Sequence, residues 1–98
     1  MKLLTKEIMK KLPAIGTQQN KIDPLVICKL FTPWSSWTWY LIEYDPITTE
    51  AFGYVDGFEK ELGYFMLDEL AKIKGSFGLK IERDKHFEPK LLSLVKKE

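Results

Sequence analysis

The segment "PWSSWTWYLIEYD", from Pro33 to Asp45, decides the fold of this 98-residue chain. It contains all three tryptophans and two of the four tyrosines. Aromatic and β-branched residues favour strands, so the segment predicts a strand from Trp37 to Tyr44. Successive side chains of a strand point to opposite faces. One face would carry Trp37, Trp39, Leu41 and Glu43, and the other Thr38, Tyr40, Ile42 and Tyr44.

One further strand is predicted on each side of this segment, from Leu25 to Thr32 and from Ala51 to Phe58. Pro33 and the run "DPITTE" supply the turns between them. Gly53 and Gly57 lie inside the third strand, where glycine is typical of a bulge or of a close backbone approach. Consecutive strands joined by short turns predict an antiparallel meander. The chain is expected to turn again within "EKELGYF", and to form a short strand from about residue 79 to 83.

Two amphipathic segments predict short helices. Thr5 can cap the first, "TKEIMKKL", and the second runs from Leu67 to Lys74 and ends before a glycine. The run "LLSLV" near the C-terminus predicts a last helical turn. We therefore expect an α+β fold, an antiparallel β-meander of three to five strands with two short helices packed on it. The helices are expected to cover one face, and 98 residues make a single domain.

The composition disfavours several classes of function. The chain has 15 basic and 14 acidic side chains, a formal net charge of +1, whereas proteins that depend on phosphate contacts usually have a strong basic excess. No run approaches the ~20 apolar residues of a membrane span, and "MKLLTKEIMKKLP" lacks the apolar core of a signal peptide. The lone cysteine, Cys28, permits no internal disulfide. A cytoplasmic protein with no membrane contact is expected.

The aromatic cluster has two interpretations. It can fill the core, since large aromatic side chains do so economically, or part of it can be exposed as a platform for a partner. The charges near the platform are acidic, which opposes stacking of nucleobases and favours a protein partner with a basic surface. The binding residues predicted on this basis are Trp34, Trp37, Tyr44, Asp45, Asp56, Glu59 and Glu61.

Catalytic signals are weak. Glu82, Asp84 and His86 would share a face if their strand continued, but a metal site would need a further ligand from elsewhere. A surface cluster of ion pairs is the simpler interpretation of these residues. Cys28 lies in an apolar run, which is typical of a buried, inert thiol. Phosphate-binding, nucleophile-elbow and zinc-protease motifs do not occur. We expect a non-enzyme with no catalytic residue, metal or cofactor.

Four segments carry a family resemblance: "LLTKEIMKKLP", "KLFTPWSSWTWYLIEYD", "FGYVDGFEKELGYFMLDEL" and "IERDKHFEP". In this order, and over nearly the whole chain, they resemble the bacterial domain of unknown function 2958 family. The chain departs from the family at Met66, where the family often has a serine that would cap the second helix. Asp68 could serve as a later cap, so the resemblance leaves the start of that helix open.

The resemblance implies no catalytic residues, and its implications concern gene setting. Genes of the family lie on plasmids, phages and integrative elements, near antirestriction and conjugation genes. This setting implies a small protein of a mobile genetic element that acts by binding, with an anti-CRISPR or antirestriction role. The expected partner is a host or element-encoded protein, and the chain itself is expected to be a monomer or weak dimer. The alternative is a nucleic-acid-binding accessory factor of plasmid or conjugative-element maintenance. Its contacts would be Lys6, Lys10, Lys11, Lys96 and Lys97.

Overall fold

The computed structural model describes residues 3–98 of the chain. The strands in this part are β1 (Leu25–Val26), β2 (Cys28–Phe31), β3 (Thr38–Tyr44), β4 (Glu50–Asp56), β5 (Lys60–Met66), β6 (Glu82–Arg83) and β7 (Lys90–Leu91). Five of them form an antiparallel sheet in the order β5-β4-β3-β2-β6, and β1 pairs with β7 in a separate ladder. The α+β class and the antiparallel meander are thereby confirmed.

Three short helices accompany the sheet: α1 (Lys6–Lys11), α2 (Leu67–Lys72) and α3 (Leu92–Lys96). The Thr5 hydroxyl caps α1 as predicted, accepting a hydrogen bond from the backbone N–H of Ile8 at 3.2 Å. No side chain caps α2; instead the backbone N–H of Leu67 donates to the Thr49 carbonyl oxygen at 2.9 Å. Within residues 3–98, no helix has the length and apolar character needed to cross a membrane.

The sheet is covered on both faces. We call the face that bears Trp39 and Leu41 the front face, and the face that bears Tyr40 and Ile42 the back face. The front core also holds buried side chains from the segments on either side of α1, from β2, β3, β4 and α2, and from the segment before β6: Leu3, Leu4, Leu12, Cys28, Leu30, Tyr44, Ala51, Leu67, Leu70 and Ile81. The back core adds Val26, Tyr54, Leu92 and Val95.

The expectation that the helices share one face is wrong for α3. The pairing of Leu25 with Leu91 carries the C-terminal segment behind the sheet. The Asp23 carboxylate then holds the start of α3 there, accepting hydrogen bonds from the backbone N–H of Ser93 at 2.8 Å and from its hydroxyl at 2.7 Å. These hydrogen bonds lower the pKa of Asp23. Tertiary pairing, rather than helix periodicity, thus decides which face α3 covers.

The central strand β3 contains a β-bulge between Leu41 and Glu43. These two residues pair with successive residues of β4, so Ile42 has no partner there. Ile42 lies in the back core, and Tyr44 has returned to the front core. The predicted alternation is therefore wrong for Glu43 and Tyr44, because one extra residue shifts the pattern by one position.

The bulge brings a carboxylate into the interior. Glu43 is only 1% exposed, and its two carboxylate oxygens accept hydrogen bonds from the backbone N–H groups of Gly16 at 3.0 Å and Gln18 at 2.6 Å. The backbone N–H of the next residue, Tyr44, donates to the Pro13 carbonyl oxygen at 2.9 Å. Because buried polar groups are costly unless hydrogen-bonded, these contacts fix the loop that follows α1 against β3.

Two segments differ from the predicted strands. The predicted turn in "EKELGYF" is wrong: Lys60–Met66 pairs with β4 along its whole length, and the turn lies at Gly57, whose N–H donates to the Glu59 carbonyl oxygen at 3.1 Å. The predicted first strand breaks at Ile27 into β1 and β2, which belong to different ladders. The strand expected over residues 79–83 is reduced to Glu82–Arg83.

Gly53, which lies opposite the bulge, is expected to tolerate no side chain. A Cβ there would overlap the Tyr40 carbonyl oxygen and lie 2.9 Å from the carbonyl carbon. We expect Gly53→Ala to lower the free energy of unfolding by roughly 3 kcal/mol, the upper end of what overpacking costs. Its cross-strand partner Gly63 is the matched control, since a Cβ there meets nothing within 4 Å.

For Gly63→Ala the expected change is below about 1 kcal/mol. Urea unfolding of the two variants and the wild type measures the difference. Equal unfolding midpoints for Gly53→Ala and Gly63→Ala would show that the bulge does not press on β4.

Candidate functional site

An open groove of about 380 Å³ lies on the front face. We call it the tryptophan groove, because all three indoles of the chain line it; the lining residues are Thr32, Trp34, Ser35, Trp37, Trp39 and Ile73. Trp39 is buried in β3, whereas Trp34 and Trp37 lie in the connection from β2 to β3 and are half-buried. The sides of the groove are therefore formed by two aromatic rings that are only partly buried.

Trp37 is held at the end of the sheet by the turn between β4 and β5. Its ring lies where a Cβ on Gly57 would be, so that glycine is needed for the close approach predicted from the sequence. The ring centroid is 5.8 Å from that of Trp39 and 5.1 Å from that of Phe58, which it meets edge-to-face. Phe58 is 94% exposed. An almost fully solvated aromatic ring thus stands beside the groove.

Trp34 is positioned by the segment that follows α2. Its ring occupies the space that a Cβ on Gly75 would take. The connection that carries the ring is fixed by hydrogen bonds, since the N–H of Thr32 donates to the Trp37 carbonyl oxygen at 3.0 Å and the Thr32 and Ser35 hydroxyls bond to each other. Two glycines from distant segments therefore seat the two half-buried indoles.

Charges of both signs occur near the groove. Trp39 pairs with Val55 and Val55 with Glu61, so Glu61 lies on the front face, two strands from Trp39. Glu59 is exposed in the adjoining turn. Lys72 and Lys74 flank the groove residue Ile73 in sequence. The prediction of an acidic surface therefore fits β5 and the turn before it, but not the segment that carries Ile73.

The predicted binding residues separate into two groups. Trp34 and Trp37 line the groove. Asp56, which pairs with Thr38, lies at the same end of the sheet, together with Glu59 in the next turn and Glu61 in β5. Tyr44 and Asp45 lie at the opposite end of β3, roughly 20 Å away along the strand. The structure therefore does not bring the seven residues into one patch.

Tyr44 and Asp45 have structural roles at their end of β3. The expectation that Tyr44 is exposed is wrong: it is 4% exposed, because the bulge turns it into the front core, and burial raises the pKa of its phenol. Asp45 shapes the turn to β4, where its carboxylate accepts a hydrogen bond from the Ile47 N–H at 2.9 Å. That hydrogen bond lowers the pKa of Asp45.

Sequence reasoning missed Phe58 and Ile73 as members of this surface, and it missed the exposed Phe77 two residues after Gly75. Phe77 is 102% exposed and has a left-handed backbone conformation (φ 58°) on the segment that carries Gly75. Such a conformation is uncommon for a bulky residue. The signals available were the turn "DGFE" around Phe58 and the pair of glycines in "GSFG", both of which present an aromatic residue at a turn.

A larger cleft of about 620 Å³ contains the trio considered as metal ligands. Asp84 is engaged there by protein groups: its Oδ1 accepts the backbone N–H of His86 at 2.9 Å, and its Oδ2 lies 3.9 Å from the Lys29 ammonium. In residues 3–98, no three His, Cys, Asp or Glu side chains are grouped so that they could hold a metal ion. Both signs of charge line this cleft, including Glu82, Arg83 and Lys85.

The lysines considered as a nucleic-acid surface do not form one patch. Lys6, Lys10 and Lys11 belong to α1, next to front-core residues, whereas Lys96 and Lys97 belong to α3 and its end behind the sheet. A continuous groove for a phosphate backbone would need them on one side.

Cys28 is expected to be unreactive in the folded chain. It is 2% exposed, and burial raises the pKa of its thiol to about 11, so the thiolate is scarce at pH 8. Labelling with a water-soluble aromatic disulfide reagent at pH 8 should proceed only as fast as the protein unfolds, and at once in 6–8 M urea (roughly the range that unfolds small domains). Labelling at the rate of a free thiol without urea would show that Cys28 is an accessible nucleophile.

A family model described as Protein of unknown function (DUF2958) matches residues 3–95. Comparison with curated proteins and with solved structures gave no match.

Proposed function

Because the chain belongs to the DUF2958 family, whose description names no activity, we propose from its geometry that it is a protein-binding domain. The observation that carries this proposal is the tryptophan groove, in which three indoles line an open depression on one face. We propose that it acts by binding and not by catalysis, and that a partner protein inserts an apolar side chain between Trp34 and Trp37.

Burial explains why this surface favours binding. Phe58, whose ring meets that of Trp37, is 94% exposed, and covering such a side chain contributes about 1.5–3 kcal/mol. Aromatic residues in a pocket are also the usual hot spots of protein interfaces. The two indoles are also held in place in the free chain, because Trp37 packs on Gly57 and Trp34 packs on Gly75. Little side-chain freedom is therefore lost on binding.

Charge favours a protein partner over a nucleic acid. A phosphate backbone would bring uniform negative charge toward Glu59 and Glu61, which lie at the same end of the sheet as the indoles. A protein can instead present positive side chains to these carboxylates and negative ones toward Lys72 and Lys74. The proposed partner therefore has a basic patch next to its apolar anchor, on the side that faces β5.

The finer part of the proposal rests on the family resemblance. It supports a small protein of a mobile genetic element that works in the cytoplasm and binds a host or element-encoded protein. Occlusion of a component of a restriction or CRISPR system is the mode of action that this setting favours. With a net charge of +1, the chain is no overall mimic of DNA, so recognition would depend on the groove and its carboxylates.

Phe58→Ala is the sharpest test of the groove. Trp34 is a poorer probe, because its ring packs on Gly75 and against the front core. Immobilised wild-type chain and variants are incubated with lysate of the source bacterium, and retained proteins are quantified by mass spectrometry. The affinity of a partner for Phe58→Ala should be at least about tenfold lower than its affinity for the wild type.

Ile47→Ala is the matched control, since Ile47 is 91% exposed in the turn at the opposite end of β3. A partner of the groove is retained by the wild type and by Ile47→Ala. If every retained protein binds Phe58→Ala as well as it binds the wild type, the groove is not the binding site.

Charge reversal tests the role of the acidic side. Glu59→Lys combined with Glu61→Lys should slow association with the captured partner at low salt, and the effect should shrink as salt screens the charges. Glu7→Lys combined with Glu88→Lys makes the same change in net charge at exposed positions that line neither the groove nor the cleft next to Trp37. Equal association rates for the two double variants, measured by surface plasmon resonance, would contradict the proposed charge complementarity.

A further inference from the structure

Strand β5 forms one edge of the five-stranded sheet. Its register with β4 runs without interruption from the pair of Glu50 with Met66 to the pair of Asp56 with Lys60. In the part of the chain that the structure describes, no strand pairs with its outer side. Half of the backbone N–H and C=O groups of such a strand point away from the sheet and can pair with another strand.

The two edges of the sheet differ in how they are protected. Natural edge strands are commonly short, charged, bulged or interrupted by proline, which prevents pairing with other chains. The edge at β6 fits this rule, because it has only two residues, Glu82 and Arg83, and both are charged. The edge at β5 has seven residues, without a bulge or proline, and its charges are confined to Lys60 and Glu61.

An apolar stripe runs along β5 on the back face. Leu62 pairs with Tyr54 and is 45% exposed, and Tyr64 pairs with Phe52 and is 53% exposed. The Phe52 and Tyr64 ring centroids lie 5.0 Å apart. This stripe therefore extends the back core to the edge of the sheet, where nothing in residues 3–98 completes it.

We propose that β5 pairs antiparallel with β5 of a second copy of the chain, with Gly63 of one copy opposite Gly63 of the other. This is the one self-pairing register that gives all seven residues a partner. Leu62 of each copy then faces Tyr64 of the other, and no two like charges are opposed, since Lys60 faces Met66 and Glu61 faces Phe65.

Space and symmetry favour a second copy over an unrelated segment. Gly63 lies at the centre of the strand, and a Cβ built there meets nothing within 4 Å, so the front side of the edge is open at this residue. The pairing is self-complementary around a two-fold axis and closes as a dimer without leaving the same edge free. Each exposed apolar side chain of the stripe finds an apolar partner in the same short sequence.

The dimer would have a consequence for binding, although the pairing does not depend on the groove. A two-fold axis between antiparallel edge strands is perpendicular to the sheet, so equivalent faces stay on the same side. Both tryptophan grooves would therefore open on one side of a continuous sheet. A partner with two anchors would then gain from the second binding event being intramolecular.

Sedimentation equilibrium of the full chain tests the association. The mass of the wild type should rise from 11.5 kDa toward twice that value as the concentration approaches about 1 mM, since one strand pair is a small interface. Leu62→Lys combined with Tyr64→Lys should dimerise roughly tenfold more weakly, because like charges lie directly opposite in the dimer. Leu62→Glu combined with Tyr64→Glu should behave in the same way.

An equimolar mixture of the two charged variants should regain dimerisation, because each Lys then faces a Glu. This rescue separates direct pairing from misfolding, and unchanged circular dichroism of each variant confirms the fold. A wild-type chain whose mass stays at 11.5 kDa overturns the proposal. An extended segment of another protein would then be the remaining candidate to pair with β5. The proposal is also overturned if the double-Lys and double-Glu variants each dimerise as well as the wild type, or if their mixture fails to associate.

The register is tested by oxidation of Gly63→Cys. The two introduced thiols would lie opposite each other across the two-fold axis, within the Cα separation that a disulfide requires, and the native Cys28 is buried. Leu62→Cys is the control, since in this register its two copies are offset along the strands. Cross-linking of Gly63→Cys alone supports the register, and cross-linking of Leu62→Cys alone contradicts it.

Discussion

The β-bulge in β3 moves Glu43 out of the regular alternation and directs its carboxylate onto the backbone N–H groups of Gly16 and Gln18. Glu43 is 1% exposed, and a buried charge left without such partners would cost several kcal/mol (order of magnitude). The same bulge brings the Tyr40 carbonyl against Gly53 of β4. One extra residue, Ile42, therefore couples the central strand to the loop after α1 and to its neighbour in the sheet.

This constraint divides the aromatic strand into two parts. Beyond the bulge, Tyr44 is buried in the front core and Asp45 shapes the next turn. Before the bulge, Trp39 lies at the floor of a groove whose walls are Trp37 and Trp34. The front core needs only the part beyond the bulge and Trp39, which forms the floor of the groove. The two half-buried indoles of the connection are held in place by glycines instead, and this leaves their faces open to a partner.

Local signals predicted the local structure well. The Thr5 cap, the strand over the aromatic run and the start of α2 at Leu67 agree with the structure. Each depends on side chains within a few residues of one another. The glycines were harder to interpret: Gly53 was correctly linked to a bulge or close approach, but the bulge itself lies in the opposite strand. The turn predicted within "EKELGYF" depends on Gly63, which instead pairs directly with Gly53 in the middle of β5.

The groove could be predicted only in part, for the same physical reason. Trp34 and Trp37 were identified because they cluster in the sequence. Phe58 and Ile73 come from segments that only tertiary packing brings to the indoles, and no periodicity links them to residues 33–45. Tyr44 was misplaced because a single unpaired residue reverses the face of every side chain after it. Alternation therefore does not predict the face of residues that follow a bulge, and it does not predict a buried polar residue such as Glu43.

The central claim is that the half-buried indoles form a binding surface while the far end of β3 serves only the fold. NMR spectra of the three tryptophan indole N–H groups, recorded for the free chain and for the chain saturated with its captured partner, test this claim most directly. The account predicts that the Trp34 and Trp37 signals shift and lose exchange with water, while amides of the turn from Asp45 to Thr49 stay unchanged. Shifts confined to that turn, with all three indole signals unmoved, would contradict it.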